Sequence, residues 1–360
     1  MVGARGYAGL ELVKLLLGHP DIQVKSVFAS ENVDLSDELR VLGKRNIGRL
    51  ASAKSLVTLP HSEILTASAD FVFLATPAEV SLELAPKLLA LGKRVIDLSG
   101  AFRLKTHGYP EWYGFSHDQS QVLSRAEYGL QPWNASVGLE TQLVANPGCY
   151  ATAILLALLP LLKRGWISPS SIVIDAKSGT TGAGRKASEA MQFSEVSENC
   201  WPYKVGRHQH WPEIVEAVKA HGGGEIDPFF TTHILPVRRG ILASVYASLV
   251  PEKELTEGAI REAFLHDYAT APLVRLGPVT PQFCGVSAVA GSAATHLGFV
   301  LSGQKLFLFS CLDNLLKGAA SQAIENMNCM MGWPSWRSLS FDAQTTTESP
   351  LGHVERRNAL

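Results

Sequence analysis

Apolar residues at Leu10, Val13, Leu16 and Leu17, followed by Gly18 and Pro20, predict an amphipathic helix over residues 7–17. Short β-rich runs at 22–29, 70–75 and 94–98 predict strands, and 80–91 has the spacing of a helix joining the last two. Such alternation through the first 145 residues is the pattern of a parallel sheet with crossover helices. Leu143-Val144-Ala145 closes the series as a strand end, and the apolar stretch from Ala151 to Leu162 predicts a helix. After Ser171 the texture changes. Residues 172–176 read as a strand feeding a glycine-rich loop, and 240–250 and 298–310 are longer alternating runs, so a second domain with a mostly antiparallel sheet is expected. Asp313 then starts a helix rich in small residues, suited to close packing against another element. Beyond Trp336 the chain turns polar and aperiodic, and 340–360 is expected to be a loose tail. The expected units are 1–148 together with 311–335, then 149–310, with 336–360 as the tail.

At 360 residues, 46% hydrophobic and 18% charged, the chain is long enough for two domains, each with its own core. Its formal net charge is −1 and its basic residues are scattered, which leaves no electrostatic footprint for nucleic acid or a membrane surface. Small-molecule partners are expected. Five cysteines without a Cys-x-x-Cys pair argue against a disulfide framework or structural zinc and for a reducing compartment, so the cytoplasm is the expected location. No cationic and apolar leader pattern opens the chain, and the 151–162 run contains Pro160 and is too short to span a bilayer.

Asn146-Pro147-Gly148-Cys149-Tyr150 places one cysteine between the strand end and the apolar helix. In a first helical turn, unpaired amides and the helix dipole stabilise an anion. A free thiol with a pKa of about 8.5 falls to roughly 3.5–7.5 at such a position or beside an imidazolium. Cys149 is therefore a candidate nucleophile, with a small buried cysteine at a helix start as the alternative. Gly148 leaves room for a carbonyl to approach the backbone. Gly3-Ala4-Arg5-Gly6-Tyr7-Ala8-Gly9 opens the first helix with G-x-x-G-x-x-G spacing, a variant of the dinucleotide fingerprint; a glycine-rich turn at a domain edge has the same pattern. Only Met1 and Val2 precede it, so the strand that should deliver this loop is expected to be nearly absent, through a truncated start or with a compromised cofactor site.

His208 and His210 share one face if their segment is extended, and a neutral imidazole accepts or donates a proton near neutral pH. A metal pair and structural histidines are the rival readings; without a third ligand nearby in sequence, no metal is expected. Residues 178–186 offer amides, hydroxyls and two cations after a strand, and 97–103 end in Ser99 and Arg103. Arg238 and Arg239 add positive charge before another strand. Each alone fits a solvated turn, and together they point to a doubly anionic substrate.

Taken in order, Gly3-x-x-Gly6-Tyr7-x-Gly9, Asp97-Leu98-Ser99-x-x-Phe102-Arg103, Asn146 to Tyr150, Ser178-Gly179-x-x-Gly182-Ala183-Gly184-Arg185, His208-x-His210-x-Pro212-Glu213-Ile214, Pro236-x-x-Arg239-Gly240 and Asp313-Asn314-Leu315-x-Lys317-Gly318-Ala319-Ala320 resemble the N-acetyl-gamma-glutamyl-phosphate reductases of arginine biosynthesis. The resemblance runs from Gly3 to about Gly332. It implies an α/β architecture, a Rossmann-like dinucleotide-binding domain plus an α+β catalytic and dimerisation domain of the semialdehyde dehydrogenase type. It also implies the reaction. Cys149 displaces phosphate from N-acetylglutamyl 5-phosphate to form a thioester, NADPH (NAD being the alternative) delivers hydride, and the thiohemiacetal collapses to the semialdehyde. His210 and His208 share the acid/base role as a pair, and Glu213 orients an imidazole.

For the cofactor, the resemblance points to Gly3, Ala4, Arg5, Gly6, Tyr7 and Ala8 on the first loop, to Ser30, and to Ala75, Thr76 and Pro77. Ser178, Gly179, Gly182 and Asn314 lie on the nicotinamide side. Ser99, Arg103, Asn146, Arg185 and Arg239 are the expected substrate residues, and a homodimer or homotetramer is implied. One departure concerns Ser30-Glu31-Asn32, which stands where relatives usually carry a basic residue for the 2′-phosphate; an acid there suits a ribose hydroxyl. Arg5, where a small residue is common, compensates in part by meeting a phosphate.

Aspartate-semialdehyde dehydrogenase and a lysine-pathway reductase of aminoadipyl phosphate are the alternatives within the class. The 208–214 motif and Asp97-Leu98-Ser99 favour the arginine enzyme over the first and leave the second open. A Cys/His hydrolase is disfavoured by the glycine-rich opening and the βα units, and a non-catalytic dinucleotide-binding protein is the reading from a different class.

Overall fold

A computed structural model describes residues 1–31, 34–35, 58–105, 108–251 and 254–339. The first helix forms as α1, Tyr7–Gly18, burying Leu10, Leu12, Val13 and Leu16. There follow β1 (Phe28–Ala29), β2 (Leu59–Pro60), β3 (Phe71–Leu74), α2 (Ala78–Ala90), β4 (Arg94–Asp97), β5 (Glu127–Tyr128) and β6 (Leu143–Ala145). Strands β3, β4, β6 and β5 lie side by side in that order, each pair parallel. The strand expected over 22–29 shrinks to β1. Its neighbour on one side is Met1 and Val2 alone, and a ladder extends no farther than its partner.

Val2 occupies the first-strand slot ahead of the glycine loop. Its N–H donates to the Phe73 carbonyl at 2.9 Å, its carbonyl accepts from Ala75 N–H at 3.0 Å, and it bridges Phe28 and Leu74 in parallel. One fully buried residue thus joins β2 and β1 to the other four strands and delivers Gly3 to the sheet edge. Two residues carry no periodicity, so this pairing left no pattern to read.

The second unit begins with α3, Cys149–Leu162, buried along almost its entire length. It continues through β7 (Val173–Gly179), β8 (Trp201–Tyr203), α4 (His210–Ala220), β9 (Phe229–Leu235), β10 (Ile241–Ser248), α5 (Glu257–Asp267), β11 (Val274–Leu276), β12 (Thr295–Ser302) and β13 (Lys305–Leu312). These strands form one mixed sheet in the order β11-β12-β13-β10-β7-β9-β8, with β11–β12 and β7–β9 parallel and the other neighbours antiparallel. The run expected over 298–310 is instead a hairpin, reversed at Gly303, whose φ of 58° a side-chain-free residue adopts at no steric cost. Helix α3 packs on the inner face, where Ile154, Leu155 and Leu158 meet Ile174, Val245 and Leu308 in one apolar core. Because apolar residues surround it on all sides, α3 is hydrophobic all round rather than amphipathic.

Strand β13 ends at Leu312. The small-residue segment opens as a π-turn, Leu316–Ala320, and runs on as α6, Ser321–Met330. The expected tail is corrected at its start. Asn328 Nδ2 donates to the carbonyls of Ser335 and Arg337, His19 stacks on Trp333 with ring centroids 5.6 Å apart, and Leu339 is buried. Residues 340–360 lie outside the described residues.

Candidate active site

Between β6 and α3, Asn146, Pro147 and Gly148 make the turn that presents Cys149. Gly148 N–H donates to Glu213 Oε1 at 2.7 Å, and Tyr128 O–H donates to the same oxygen at 2.8 Å. Glu213 Oε2 lies 3.6 Å from Arg103 Nη1. Glu213 therefore anchors the turn that presents Cys149. The first turn of α4 points residue 213 at Gly148 and β5 while residue 210 points at the turn from another side. Burial raises the Glu213 carboxyl above its usual range, opposed by the Arg103 charge, the Gly148 amide and the Tyr128 hydroxyl. Tyr128 was not legible in the sequence, since a tyrosine in a two-residue strand carries no motif.

The two histidines are not on one face of an extended piece. His208 sits in a turn and His210 is the first residue of α4, yet the turn brings their rings to 4.7 Å at an interplanar angle of 72°. His210 N–H donates to His208 Nδ1 at 3.1 Å, which leaves the His208 proton on Nε2. His210 Nε2 lies 3.4 Å from Arg103 Nη1, a group that only donates, so His210 Nε2 is the acceptor and Nδ1 bears the proton. That acceptor lies over the turn: a Cβ added to Gly148 would fall 2.3 Å from it.

Burial holds both imidazoles neutral, His208 down to about 3 and His210 well below its usual range, with His208 and Arg103 adding to the effect on His210. A folded-state value below the unfolded one means that only the unfolded chain takes up these protons as pH falls. Stability is full above about pH 6.5 and should drop by about 1.4 kcal/mol per pH unit for each imidazole between there and pH 4. Denaturant titrations across that range measure the slope, and His208→Gln should flatten it; an unchanged slope would place the titration elsewhere.

Cys149 is half-buried at the surface of densely packed protein, and burial pushes its thiol up to about 11 against the lowering influence of Arg103 and the Tyr150 amide. The direction is opposite to the depressed thiol expected from the helix start, because desolvation outweighs the lowering by Arg103 and the backbone amides. The turn thus carries a raised thiol directly after Gly148 and a neutral imidazole acceptor beside Gly148.

The expected anion ligands separate in space. Arg103 is nine-tenths buried, donating through Nε to the Asn146 carbonyl and through Nη2 to the Leu98 carbonyl, each at 2.8 Å, so it is a hub beneath the turn. Asn146, expected to touch substrate, is fully buried with both ends of its amide engaged: Oδ1 accepts from Asn326 Nδ2 at 3.1 Å and Nδ2 donates to the Ala319 carbonyl at 3.2 Å. Ser99 shapes its own loop, with its amide and hydroxyl on the Asp97 carboxylate at 3.1 and 2.8 Å. Arg185 Nη1 donates to the Arg5 carbonyl at 2.9 Å. Arg239 pairs with Asp313 at 2.6 Å and Glu11 at 3.2 Å, tying α1 to the second unit. The carboxylates that pair with Arg103 and Arg239 are distant in sequence, which is why composition alone does not show them.

The glycine loop fits a dinucleotide pyrophosphate. Gly3 has φ 81°, and a Cβ there would fall 2.2 Å from the Ala75 carbonyl oxygen; a Cβ on Gly9 would fall 2.2 Å from the Gly3 oxygen. The loop, with Ala4 buried, Gly6 extended and Tyr7 and Ala8 in the first turn of α1, leaves the unpaired amides of a twelve-residue helix at its mouth. Ala75, Thr76 and Pro77 run alongside and enter α2, with Thr76 Oγ1 2.8 Å from Ser81 Oγ. Arg5 Nη1 pairs with Glu31 Oε2 at 2.8 Å beside exposed Ser30; Asn32 lies outside the described residues. The segment from Ser178 through Gly179 to Gly182 faces this loop by way of Arg185. It is pinned by Asn314, whose Nδ2 donates to Thr181 Oγ1 at 3.0 Å and whose Oδ1 accepts from Gly240 N–H at 2.8 Å.

Residues 1–139 match the family model of the semialdehyde dehydrogenase NAD binding domain, and 149–314 that of the semialdehyde dehydrogenase dimerisation domain. An N-acetyl-gamma-glutamyl-phosphate reductase from Geobacillus stearothermophilus is 41% identical over 345 residues, covering 94% of this chain and 96% of that protein. One from Brevibacillus brevis is 40% identical over 343 residues, covering 94% and 96%. Among solved structures, aspartate semialdehyde dehydrogenase II from Vibrio cholerae superposes with a TM-score of 0.65 at 16% identity, over 92% of this chain and 97% of that one. At that identity the likeness concerns the fold.

Proposed function

This chain belongs to the N-acetyl-gamma-glutamyl-phosphate reductase family, and on that premise we propose that it reduces N-acetylglutamyl 5-phosphate to N-acetylglutamate 5-semialdehyde, releasing phosphate, in arginine biosynthesis. The observation that carries the reading is the acceptor nitrogen of a neutral, buried imidazole lying over the residue that precedes a helix-start cysteine. A raised thiol is unreactive until its proton leaves, and His210 Nε2 is the base placed to take it. The Cys149 sulfur then bonds to the acyl carbon and the carbon–oxygen bond to phosphate breaks. His210 passes the proton to the departing phosphate, and Arg103 stabilises the negative charge that develops beside it. A reduced nicotinamide, when bound, contributes hydride to the thioester carbonyl. As the carbon–sulfur bond then breaks, Cys149 leaves as thiolate and regains a proton from solvent through His210. His208, whose Nδ1 already accepts from the His210 amide, positions the base rather than sharing its role. Ser178, Gly179, Gly182 and Asn314 would border the nicotinamide, with the glycine loop on the pyrophosphate.

Incubation with N-acetylglutamate semialdehyde, inorganic phosphate and NADP⁺ or NAD⁺ tests the reading through the appearance of reduced nicotinamide. No phosphate-dependent signal with either dinucleotide would sink it. Aminoadipate semialdehyde and aspartate semialdehyde in the same assay separate the alternative substrates.

NADP is the cofactor favoured here, with NAD accepted. Arg5 supplies a cation at the mouth of the loop, and Glu31 both competes for that cation and repels a 2′-phosphate. Glu31→Gln should raise the NADP-to-NAD ratio of kcat/KM about tenfold, and Arg5→Ala should lower it. An unmoved ratio in both variants would remove the pair from cofactor choice.

Association with a second copy, as a homodimer or homotetramer, is supported by the dimerisation-domain match and by one row across the outer face of the large sheet. Phe229, Val173, Tyr246, Phe307 and Val300 stand side by side there on five strands. Phe229 is 78% exposed, an apolar surface that a second copy would cover. A cytoplasmic location is supported by all five cysteines being free, and no helix among the described residues is long and apolar enough to cross a membrane.

A further inference from the structure

Helix α6 and the π-turn before it carry Gly318, Gln322 and Asn326 at intervals of four, one above another on a single face. All three end on the nucleophile turn. A Cβ on Gly318 would fall 2.7 Å from Cys149 Cβ and 3.2 Å from its Cα, so this glycine is the surface against which the cysteine backbone rests. Gln322 Nε2 donates to Thr152 Oγ1 at 3.2 Å, and that hydroxyl donates to the Gly148 carbonyl at 3.0 Å. Asn326 Nδ2 donates to Asn146 Oδ1 at 3.1 Å and to the Gly129 carbonyl at 2.9 Å, while its Oδ1 accepts from Gln131 Nε2 at 3.2 Å. Both ends of the turn, and Cys149 directly after it, are therefore seated on one helix face.

Gln322 and Asn326 are fully buried. A face that only had to pack would be served by apolar side chains, because burying an amide is unfavourable unless its hydrogen bonds are made in the right places. The start of the helix is also tied to the chain beside it: Lys317 Nζ donates to the Gln131 carbonyl at 3.3 Å and to Glu325 Oε1 at 2.6 Å, with both side chains buried. From Asn146 the constraint passes to Arg103, whose Nε donates to the Asn146 carbonyl at 2.8 Å and whose Nη1 faces His210.

We propose that Gln322 and Asn326 are positioning residues of the reaction, holding Gly148 and Asn146 so that Cys149 meets His210 and Arg103. The proposal rests on Cys149 being the nucleophile. Loss of the Asn326 amide frees the Asn146 end of the turn, loss of the Gln322 amide removes the donor that orients the Thr152 hydroxyl on Gly148, and a displacement near 1 Å at reacting atoms lowers rate by up to about a hundredfold.

Gln322→Met and Asn326→Ala in the full chain are the tests, with three readouts: kcat and KM for the acyl phosphate, dinucleotide affinity by fluorescence, and the pH profile of Cys149 alkylation by iodoacetamide. The expected result is a kcat lower by about ten- to a hundredfold, with KM and dinucleotide affinity within about threefold and a displaced alkylation profile. A merely structural role would leave that profile and kcat of the folded protein alone. If Asn326→Ala does not fold, Gln322→Met decides, because Thr152 keeps its own bond to Gly148 in that variant. A folded variant with kcat within twofold of the parent and the parent's alkylation profile would overturn the proposal. Cys149→Ser run in parallel separates the two ideas: inactivity there with unaffected amide variants sinks only the positioning role, whereas activity there sinks the nucleophile.

Discussion

Cys149→Ser is expected to lower turnover at least about a thousandfold while leaving dinucleotide binding within about twofold of the parent. A serine hydroxyl holds its proton far more tightly than a thiol, and the base available, His210, is itself held neutral by burial and is weak in the free protein. The dinucleotide loop is built from separate contacts: Gly3 N–H on the Phe28 carbonyl, the Gly3 and Gly9 cradle, and the Arg185 clasp on Arg5. None of these reaches the sulfur. Steady-state assay together with a fluorescence titration of the dinucleotide reads both halves of the expectation. Substantial turnover by the variant would remove Cys149 from its role. In the parent, alkylation of Cys149 should keep rising about tenfold per pH unit toward 11, as a thiol raised by burial requires.

Gly148→Ala should lower kcat by about a hundredfold or more, and the reason is space alone. The backbone at Gly148 has φ −70° and ψ 153°, which any residue adopts without strain. The added methyl would stand 2.3 Å from His210 Nε2 and 2.6 Å from its Cε1, so either the imidazole swings away from the turn or the turn moves away from the imidazole. Both separate the acceptor from the sulfur. Gly138→Ala is the control, its Cβ meeting nothing nearer than a carbonyl oxygen at 4.0 Å. A Gly148→Ala variant with kcat within about threefold of the parent would mean that His210 does not stand over the turn during the reaction.

Residues near one another in sequence account for what was legible beforehand. Helix α1 followed from its apolar spacing and its stop signals, and α3 from an apolar run bounded by a glycine and opened by Cys149. The parallel βα units and the mostly antiparallel second sheet followed from the length and period of the apolar runs. The single-residue bridge at Val2 is too short to have a period, and the 298–310 run divides at Ser302-Gly303-Gln304-Lys305 into the two strands of a hairpin. In the site, the residue types that carry chemistry were identifiable from motifs, whereas several of their jobs were not. Glu213 stands beside the histidines in sequence and holds Gly148 in space; Asn146 stands beside Cys149 in sequence and holds Ala319 and Asn326 in space.

The sequence by itself determined which local elements form, that Cys149 opens its helix, and that a glycine loop opens the first unit, because capping, periodicity and glycine placement act over a few residues. Only the tertiary structure decided which nitrogen of His210 is the acceptor, that the Cys149 thiol is raised rather than lowered, and that Arg239 belongs to Asp313 and Glu11. It also decided that a helix face near the end of the described chain supports the nucleophile turn. These are properties of burial and of contacts between residues far apart in the chain. Desolvation and charge pairing depend on what surrounds a group in space, and the order of residues alone does not state it.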